Sequence, residues 1–232
     1  TLPEPVGPVA SFVAWNFPGT NVTRKIAASL AAGCTCIMKA SEETPGTCIE
    51  ITRALEDAGL PKGVLNLVFG VPSTISEYLI SSPAVRKVSF IGSIPVGKQL
   101  TKLAAGQMKR TTMELGGHAP VIIFDDVDID NVVNLSATMK FRNAGQVCIS
   151  PTRFFVHDRI YDSFVSSFTE LTQTMKVGNG LEPGVQMGPL ANERRLRAME
   201  DFVEDAINQG ADLKTGGNRV GNKGYFFAPT VF

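Results

Sequence analysis

The feature that most constrains this chain is the alternation of short apolar segments, rich in Val, Ile and Phe, with longer amphipathic segments bounded by Gly and Pro. The short segments have the length and composition of buried strands, and the longer ones have the apolar spacing of helices. Strand then helix, repeated in this order, predicts an α/β fold with a parallel sheet and right-handed crossovers. In such sheets ligands bind at the carboxyl ends of the strands.

The first half of the chain contains four segments of each kind. The predicted strands are Val9–Ala14, Thr35–Lys39, Val64–Val68 and Val88–Ile91, and the predicted helices are Thr23–Ala32, Pro45–Ala58, Ser73–Ile80 and Val96–Ala105. The pattern changes at the Gly116-Gly117 pair, which follows Thr111–Leu115. We therefore predict one domain over residues 1–116 and a second over 117–232.

The second half begins a new α/β pattern. Its predicted strands are Ala119–Phe124 and Arg153–Val156. One predicted helix ends near Phe141, and two more span about Tyr161–Met175 and Glu193–Gln209. The chain starts at Thr1 without Met and ends at Phe232 after an apparent strand. These ends lead us to expect a piece of a longer protein.

Composition narrows the classes of function. Lys plus Arg and Asp plus Glu both number 22, so the basic excess that favours nucleic acid or anionic membrane is absent, and a small-molecule substrate fits better. The sequence holds no apolar stretch long enough to cross a bilayer and no signal peptide at its start. Four cysteines without CxxC pairs or His clusters predict neither disulfides nor a metal site, which favours a reducing, cytoplasmic compartment.

The segment from Val88 to Gln99 has a predicted strand, a Gly-containing turn and a predicted helix, which is close to a P-loop. A P-loop needs Ser or Thr where this chain has Gln99, so a phosphotransferase is a weak alternative. A strand-to-helix turn whose N–H groups face a cofactor, with Ser93 as the helix cap, is the better functional interpretation. A plain structural turn stays open. The chain has no GxGxxG after a strand, which disfavours an ordinary dinucleotide site.

Two further places carry chemistry. Lys39 and Glu42 stand where a predicted strand ends, and an ammonium and a carboxylate there could hold a ribose or simply be solvated. Cys148 lies in a polar loop with a glycine, unlike Cys34, Cys36 and Cys48, but a lone cysteine is more often a small apolar residue than a nucleophile. The two histidines, His118 and His157, have no obvious acidic partner and are interpreted as structural.

Taken together, six segments resemble the NAD(P)-dependent aldehyde dehydrogenase superfamily from about Gly7 to Phe232, and succinate-semialdehyde and 2-oxoglutarate-semialdehyde dehydrogenases in particular. In chain order they are Trp15–Pro18, Lys39–Pro45, Phe90–Ser93, Met113–Gly117, Phe141–Cys148 and Gly188–Leu190. The resemblance implies a Rossmann-like cofactor domain lacking its N-terminal part, followed by the first part of an α/β catalytic domain. It also implies a homodimeric or homotetrameric parent roughly twice as long, and a weak or inactive isolated piece.

The resemblance assigns chemistry to three residues. It implies that the Cys148 thiolate attacks the aldehyde, that the alkoxide is held by the Asn16 amide and the Cys148 backbone N–H, and that Glu114 activates the water that hydrolyses the thioester. No metal is needed for these steps. A non-catalytic member of the superfamily is the alternative, and the presence of all three residues disfavours it.

The resemblance also implies a cofactor site and a substrate class. Lys39 and Glu42 are expected at the adenosine ribose, and the residues expected nearer the nicotinamide are Trp15, Gly92, Ser93 and Leu115. A carboxylate at Glu42 would repel a 2′-phosphate, so NAD is expected over NADP.

Arg24 and Arg142 resemble arginines that hold the carboxylate of succinic semialdehyde. Their structural alternatives are a helix-face role and an ion pair. The sequence departs from the family pattern at four positions around the cofactor and has a serine where a second cysteine often follows the nucleophile; these residues are Ala40, Ile91, Ile94, Pro95 and Ser150.

Overall fold

The computed structural model describes residues 4–232 and divides the chain into two units, one ending at Gly116 and the other running from Gly117 to Phe232. Each unit has its own sheet, its own helices and its own apolar core. The predicted α/β class is confirmed. Within residues 4–232, no helix combines the length and apolar content that crossing a membrane requires.

Over its described residues, 4–116, the first unit is a parallel five-stranded sheet with four helices. Its strands are β1 (Val9–Phe12), β2 (Cys36–Lys39), β3 (Leu65–Val68), β4 (Lys87–Gly92) and β5 (Arg110–Leu115). Its helices are α1 (Pro18–Ala31), α2 (Pro45–Asp57), α3 (Pro72–Ser81) and α4 (Ile94–Ala105). The strand order is β3-β2-β1-β4-β5, and every pair is parallel. Successive strands are added toward one edge from β1 to β3 and toward the other edge from β4 to β5, so the order switches between β1 and β4, which is where doubly wound folds bind ligands.

Apolar side chains fill both faces of this sheet, because alternate residues of a strand point to opposite sides. On one face α1 and α2 cover a core whose buried members are Val13, Val22, Ile26, Cys36, Met38, Ala40, Cys48 and Ile91. On the other face α3 and α4 cover Phe90, and the buried members are Ala10, Phe12, Ile80, Val85, Val88, Phe90, Leu100 and Ala104. The two cores hold the carboxyl ends of β1 and β4 side by side.

Helix α1 begins at Pro18, five residues before the predicted start at Thr23. Its first turn is closed by the Asn21 N–H, which donates to the Phe17 carbonyl at 2.9 Å. Proline at the first helical position already has helical φ and needs no N–H there. The prediction followed apolar spacing, which begins only after this turn, and so it missed the start.

The second unit has two parallel strands and three helices. They are β6 (Ala119–Ile123), α5 (Ile129–Phe141), β7 (Pro151–Val156), α6 (Asp158–Thr174) and α7 (Glu193–Asn208). Four phenylalanines form the centre of the core between α5, α6 and β7, with ring centroids 5.4 to 6.2 Å apart: Phe141, Phe154, Phe164 and Phe168. A short 3₁₀ segment, Arg142–Gly145, leads from α5 toward β7.

Candidate active site

Seven of the predicted site residues lie at the carboxyl edge of the five-stranded sheet or in the turns just beyond it. Trp15 and Asn16 follow β1, Glu42 follows β2 and Ser93 follows β4, while strands end on Lys39, Gly92 and Leu115. Glu114 is the penultimate residue of β5, level with Ile91 on β4. The parallel topology therefore brings to one edge residues that are separated by up to about 100 positions in the sequence.

Lys39 and Glu42 form an ion pair at the end of β2. The buried Lys39 Nζ donates to Glu42 Oε2 at 2.6 Å, and the Gly70 N–H after β3 donates to Glu42 Oε1 at 3.1 Å. Partial burial opposes ionisation of Glu42, but the hydrogen bonds from Lys39 and Gly70 outweigh it and lower the pKa of this carboxyl. The carboxylate thus joins the ends of two neighbouring strands.

Asn16 and Trp15 are held in the turn between β1 and α1. Asn16 Oδ1 accepts a hydrogen bond from Asn21 Nδ2 at 3.4 Å, and the Trp15 carbonyl accepts one from Thr44 Oγ1 at 3.4 Å. Because the oxygen of the Asn16 amide is directed toward Asn21, its N–H groups form the opposite, donating end of the side chain.

The turn between β4 and α4 is a single residue, Ser93, which occupies the N-cap position. Ser93 is the residue at the helix cap, as predicted, but its side chain makes no cap hydrogen bond. A cap oxygen accepts from the second or third helical N–H, and Pro95 removes the first of these two donors. The P-loop alternative is wrong, because α4 begins at Ile94 and leaves only Ser93 between strand and helix, so there is no loop to surround a phosphate.

Glu114 is exposed and shares the sheet face of Thr112, on the side covered by α1. Arg24 and Lys25 of α1 line a cavity of about 420 Å³ on that side, together with Lys87 and Thr112. Burial lowers the pKa of Lys25, Glu114 opposes this shift, and Lys87 and Arg24 reinforce it. Arg24 is therefore exposed to solvent and lies near two other cationic side chains, Lys25 and Lys87.

Cys148 is half-buried in a turn that leads into β7, and the exposed Arg142 lies six residues before it. Between them, Asn143, Ala144 and Gly145 all have left-handed backbone, with φ of 52°, 53° and 72°. For a residue such as alanine this conformation costs about 1–2 kcal/mol. The segment is therefore strained, as is common where backbone geometry serves a site.

Comparison with known proteins identifies the family. The sequence profile described as the aldehyde dehydrogenase family matches residues 1–232. The chain belongs to the aldehyde dehydrogenase family. This confirms the resemblance read from the six sequence segments.

Individual relatives share the fold and much of the sequence with this aldehyde dehydrogenase chain. It is 49% identical over 98% of its length to a 4-(hydroxymethyl)benzenesulfonate dehydrogenase of Comamonas testosteroni, of which it covers 47%. It is 45% identical over 99% of its length to a probable NADP(+) succinate-semialdehyde dehydrogenase of Sinorhizobium fredii, of which it covers 47%. It also matches the crystal structure of a succinate-semialdehyde dehydrogenase from Burkholderia pseudomallei with a TM-score of 0.95 and 44% identity, covering 98% of this chain and 47% of that one. The chain thus spans about half the length of these relatives.

Gln146 is a residue whose structural role sequence reasoning missed. Its Nε2 donates to the carbonyls of Asn143 at 3.0 Å and Pro189 at 3.3 Å, and its Oε1 accepts from the Ala191 N–H at 2.9 Å. This side chain ties the Cys148 loop of the aldehyde dehydrogenase chain to a segment more than 40 residues later. The shared occurrence of Phe141–Cys148 and Gly188–Leu190 among the family segments was the available signal.

The other cysteines and the histidines have structural contacts. Cys34, Cys36 and Cys48 are buried; burial raises the pKa of Cys36 and raises that of Cys48 to about 11. Their interpretation as small apolar residues agrees with this burial.

His157 caps α6 by accepting from the Arg159 N–H, and its Nδ1 lies 4.0 Å from Asp125 Oδ2. Its acidic neighbour is not obvious from the sequence, because it depends on the pairing of β6 and β7, which brings the two strand ends together. His118 Nδ1 lies 3.1 Å from Thr152 Oγ1.

Proposed function

We propose that the protein oxidises an aldehyde to the acid with a nicotinamide dinucleotide, the first unit being the cofactor domain and the second part of the catalytic domain. The observation that carries the proposal is the carboxyl edge of the first sheet, where Asn16, Lys39, Glu42, Ser93 and Glu114 meet around the β1–β4 switch point. That edge fits a dinucleotide, because strand ends at a switch point leave a crevice and Lys39 with Glu42 supplies ribose partners.

The residues have roles that balance chemically. The Cys148 thiolate adds to the aldehyde carbon, and the alkoxide that forms is stabilised by the Asn16 amide N–H and the Cys148 backbone N–H. A nicotinamide dinucleotide, when bound, would supply the acceptor for the hydride that leaves this carbon. Glu114 then takes a proton from water, whose oxygen displaces the Cys148 sulfur from the thioester and yields the acid.

The first test measures NADH formation by the full-length protein with variants of Cys148 and Glu114. Cys148→Ala should remove activity, whereas Cys48→Ala should leave it, since Cys48 is buried in the apolar core beneath α2. Glu114→Gln should slow turnover by about 10²–10⁴-fold and leave a burst of one NADH per active site. Cofactor binding without NADH formation in the unmodified protein would instead indicate a non-catalytic member of the family.

We propose NAD as the preferred cofactor because the Glu42 carboxylate would repel a 2′-phosphate. NADP is the competing candidate, since the Sinorhizobium fredii relative is named for it. Glu42→Ser should raise the ratio of kcat/KM for NADP to that for NAD, while the exposed Glu43→Ser one residue later should not. An unchanged ratio in Glu42→Ser would reject this role.

We propose that the substrate carries an anion far from its aldehyde, and that Arg24 and Arg142 bind it. Guanidinium groups fit carboxylates and sulfonates alike, and they keep their charge at any working pH. Succinic semialdehyde or 2-oxoglutaric semialdehyde is the first candidate; a sulfonated aldehyde is the second, favoured by the relative named for a benzenesulfonate substrate.

A substrate panel separates these candidates. We expect Arg142→Ala and Arg24→Ala to raise KM for succinic semialdehyde and 4-sulfobenzaldehyde but not for acetaldehyde, with Arg53→Ala on the exposed face of α2 as the matched control. For the unmodified protein, a larger kcat/KM with succinic semialdehyde indicates a carboxylate substrate, and a larger kcat/KM with 4-sulfobenzaldehyde indicates a sulfonate. Equal losses on acetaldehyde and succinic semialdehyde would remove the anion-binding role.

Assembly and compartment complete the proposal. A homodimer or homotetramer is expected for the full-length protein and is measured by light scattering. Four free cysteines fit a reducing, cytoplasmic compartment.

A further inference from the structure

Gly97 lies in α4 where a glycine has no backbone reason to be. Its conformation is helical, and its N–H donates to the Ser93 carbonyl at 2.9 Å in the usual helical pattern. Glycine in a helix interior costs roughly 1 kcal/mol relative to alanine. The need for glycine must therefore come from the space around it.

That space is occupied by Leu115 and Phe90. A Cβ on Gly97 would lie 2.6 Å from Leu115 Cδ2, 3.4 Å from Leu115 Cδ1 and 3.5 Å from Phe90 Cε1. Carbon atoms pack at about 3.5–4.0 Å, so an added Cβ requires either the Leu115 side chain or α4 to move by about 1 Å.

The same packing continues to the neighbouring turn. A Cβ on Gly92 would lie 2.3 Å from Phe90 Cζ, so the Phe90 ring lies directly beneath the Gly92–Ser93 turn. Gly92 pairs with Leu115 across β4 and β5, and Glu114 immediately precedes Leu115. One apolar contact thus joins the start of α4, the turn after β4 and the end of β5.

We propose that Gly97 is a positioning residue, whose missing side chain lets Leu115 pack against α4 and so sets where Glu114 stands relative to the Gly92–Ser93 turn. The inference rests on the proposed function, in which Glu114 activates water and that turn faces the cofactor. A shift of about 1 Å in a reacting group can slow its step by about a hundredfold. The step most affected is thioester hydrolysis, because it depends on Glu114.

The test compares Gly97→Ala with Gly106→Ala in the full-length protein. Gly106 follows the same helix, and a Cβ there would meet nothing closer than 3.5 Å. We expect Gly97→Ala to lower steady-state kcat by ten- to a hundredfold while an NADH burst persists and the thioester on Cys148 is detected by mass spectrometry. Gly106→Ala should change neither. Equal effects of the two variants, or loss of the burst together with turnover, would overturn the inference.

The same substitution is also made in a Leu115→Ala protein, which lacks the methyl groups that the Gly97→Ala side chain would meet. This comparison distinguishes a clash with Leu115 from general misfolding of the single variant. Adding Gly97→Ala to Leu115→Ala should lower kcat less than twofold. A second full loss in this background would refute action through Leu115. If the unmodified protein forms no NADH, the proposed function has failed; if it does and Gly97→Ala is neutral, only this inference has failed.

Discussion

Replacing Gln146 by Glu tests how the Cys148 loop is held. The change is nearly isosteric, and one carboxylate oxygen can still accept from the Ala191 N–H. The other oxygen replaces the Nε2 donor and faces the carbonyls of Asn143 and Pro189, at the present 3.0 and 3.3 Å. Two donated hydrogen bonds are lost, each contributing about 1 kcal/mol, so the second unit should lose about 2 kcal/mol of unfolding free energy.

The measurement must report on the second unit. The single tryptophan, Trp15, lies in the first, so unfolding is followed by far-UV circular dichroism and by hydrogen exchange of peptides covering residues 141–150 and 188–192. We expect a fall of about 4–8 °C in Tm and faster exchange in both peptides. The loss of unfolding free energy in Gln146→Glu should become smaller as pH falls, because a protonated carboxyl regains an O–H donor.

Gln186→Glu is the matched control. Gln186 Oε1 accepts from the Lys176 N–H at 3.1 Å, and a carboxylate oxygen keeps that bond while adding the same negative charge. Its unfolding free energy should change by less than about 0.5 kcal/mol. If the two variants are destabilised equally, added charge explains the effect and the proposed bracing by Gln146 is wrong.

Three further predictions concern reactivity, packing and pH. Iodoacetamide at mildly alkaline pH should modify Cys148 in the folded chain but spare Cys48, whose pKa burial raises to about 11, and peptide mass spectrometry showing both labelled would contradict this. Phe168→Ala should cost about 3–5 kcal/mol in denaturant unfolding, against less than about 0.5 kcal/mol for Phe202→Ala, which is 63% exposed. Glu42→Gln should lower the free energy of unfolding by about 0.5–1 kcal/mol at neutral pH, since the pair of Glu42 with Lys39 is partly exposed. Because the pKa of Glu42 is lowered in the folded state, the difference between the two proteins should vanish as pH falls through that pKa. A difference that stays constant with pH would argue against the ion pair.

The strands and most helices could be predicted from the sequence, because short Val- and Ile-rich runs bounded by Gly and Pro are typical of buried strands and of little else. The edge carrying Lys39, Glu42 and Ser93 followed from the same reasoning, since parallel strands end together. The missing Ser93 cap bond was not predicted, although Pro95 two residues later already removes one of the two N–H groups that a cap oxygen can accept from.

Tertiary contacts account for what could not be predicted. Ala144 has left-handed backbone, which only glycine or asparagine signals reliably in a sequence. Gly97 resembled a phosphate-loop glycine, and its packing against Leu115 depends on the pairing of β4 with β5. Distances between side chains far apart in sequence are not encoded in local patterns.

The reach of Gln146 also sets an order in time during synthesis. Its partners at Pro189 and Ala191 follow it by 43 and 45 residues, so they leave the ribosome well after Cys148 does. At about 5–20 residues per second, this leaves several seconds in which the thiol loop exists without its brace. During that interval Gln146 can form its local hydrogen bonds with Asn143, but the two bonds that tie the Cys148 loop to Pro189 and Ala191 have yet to form.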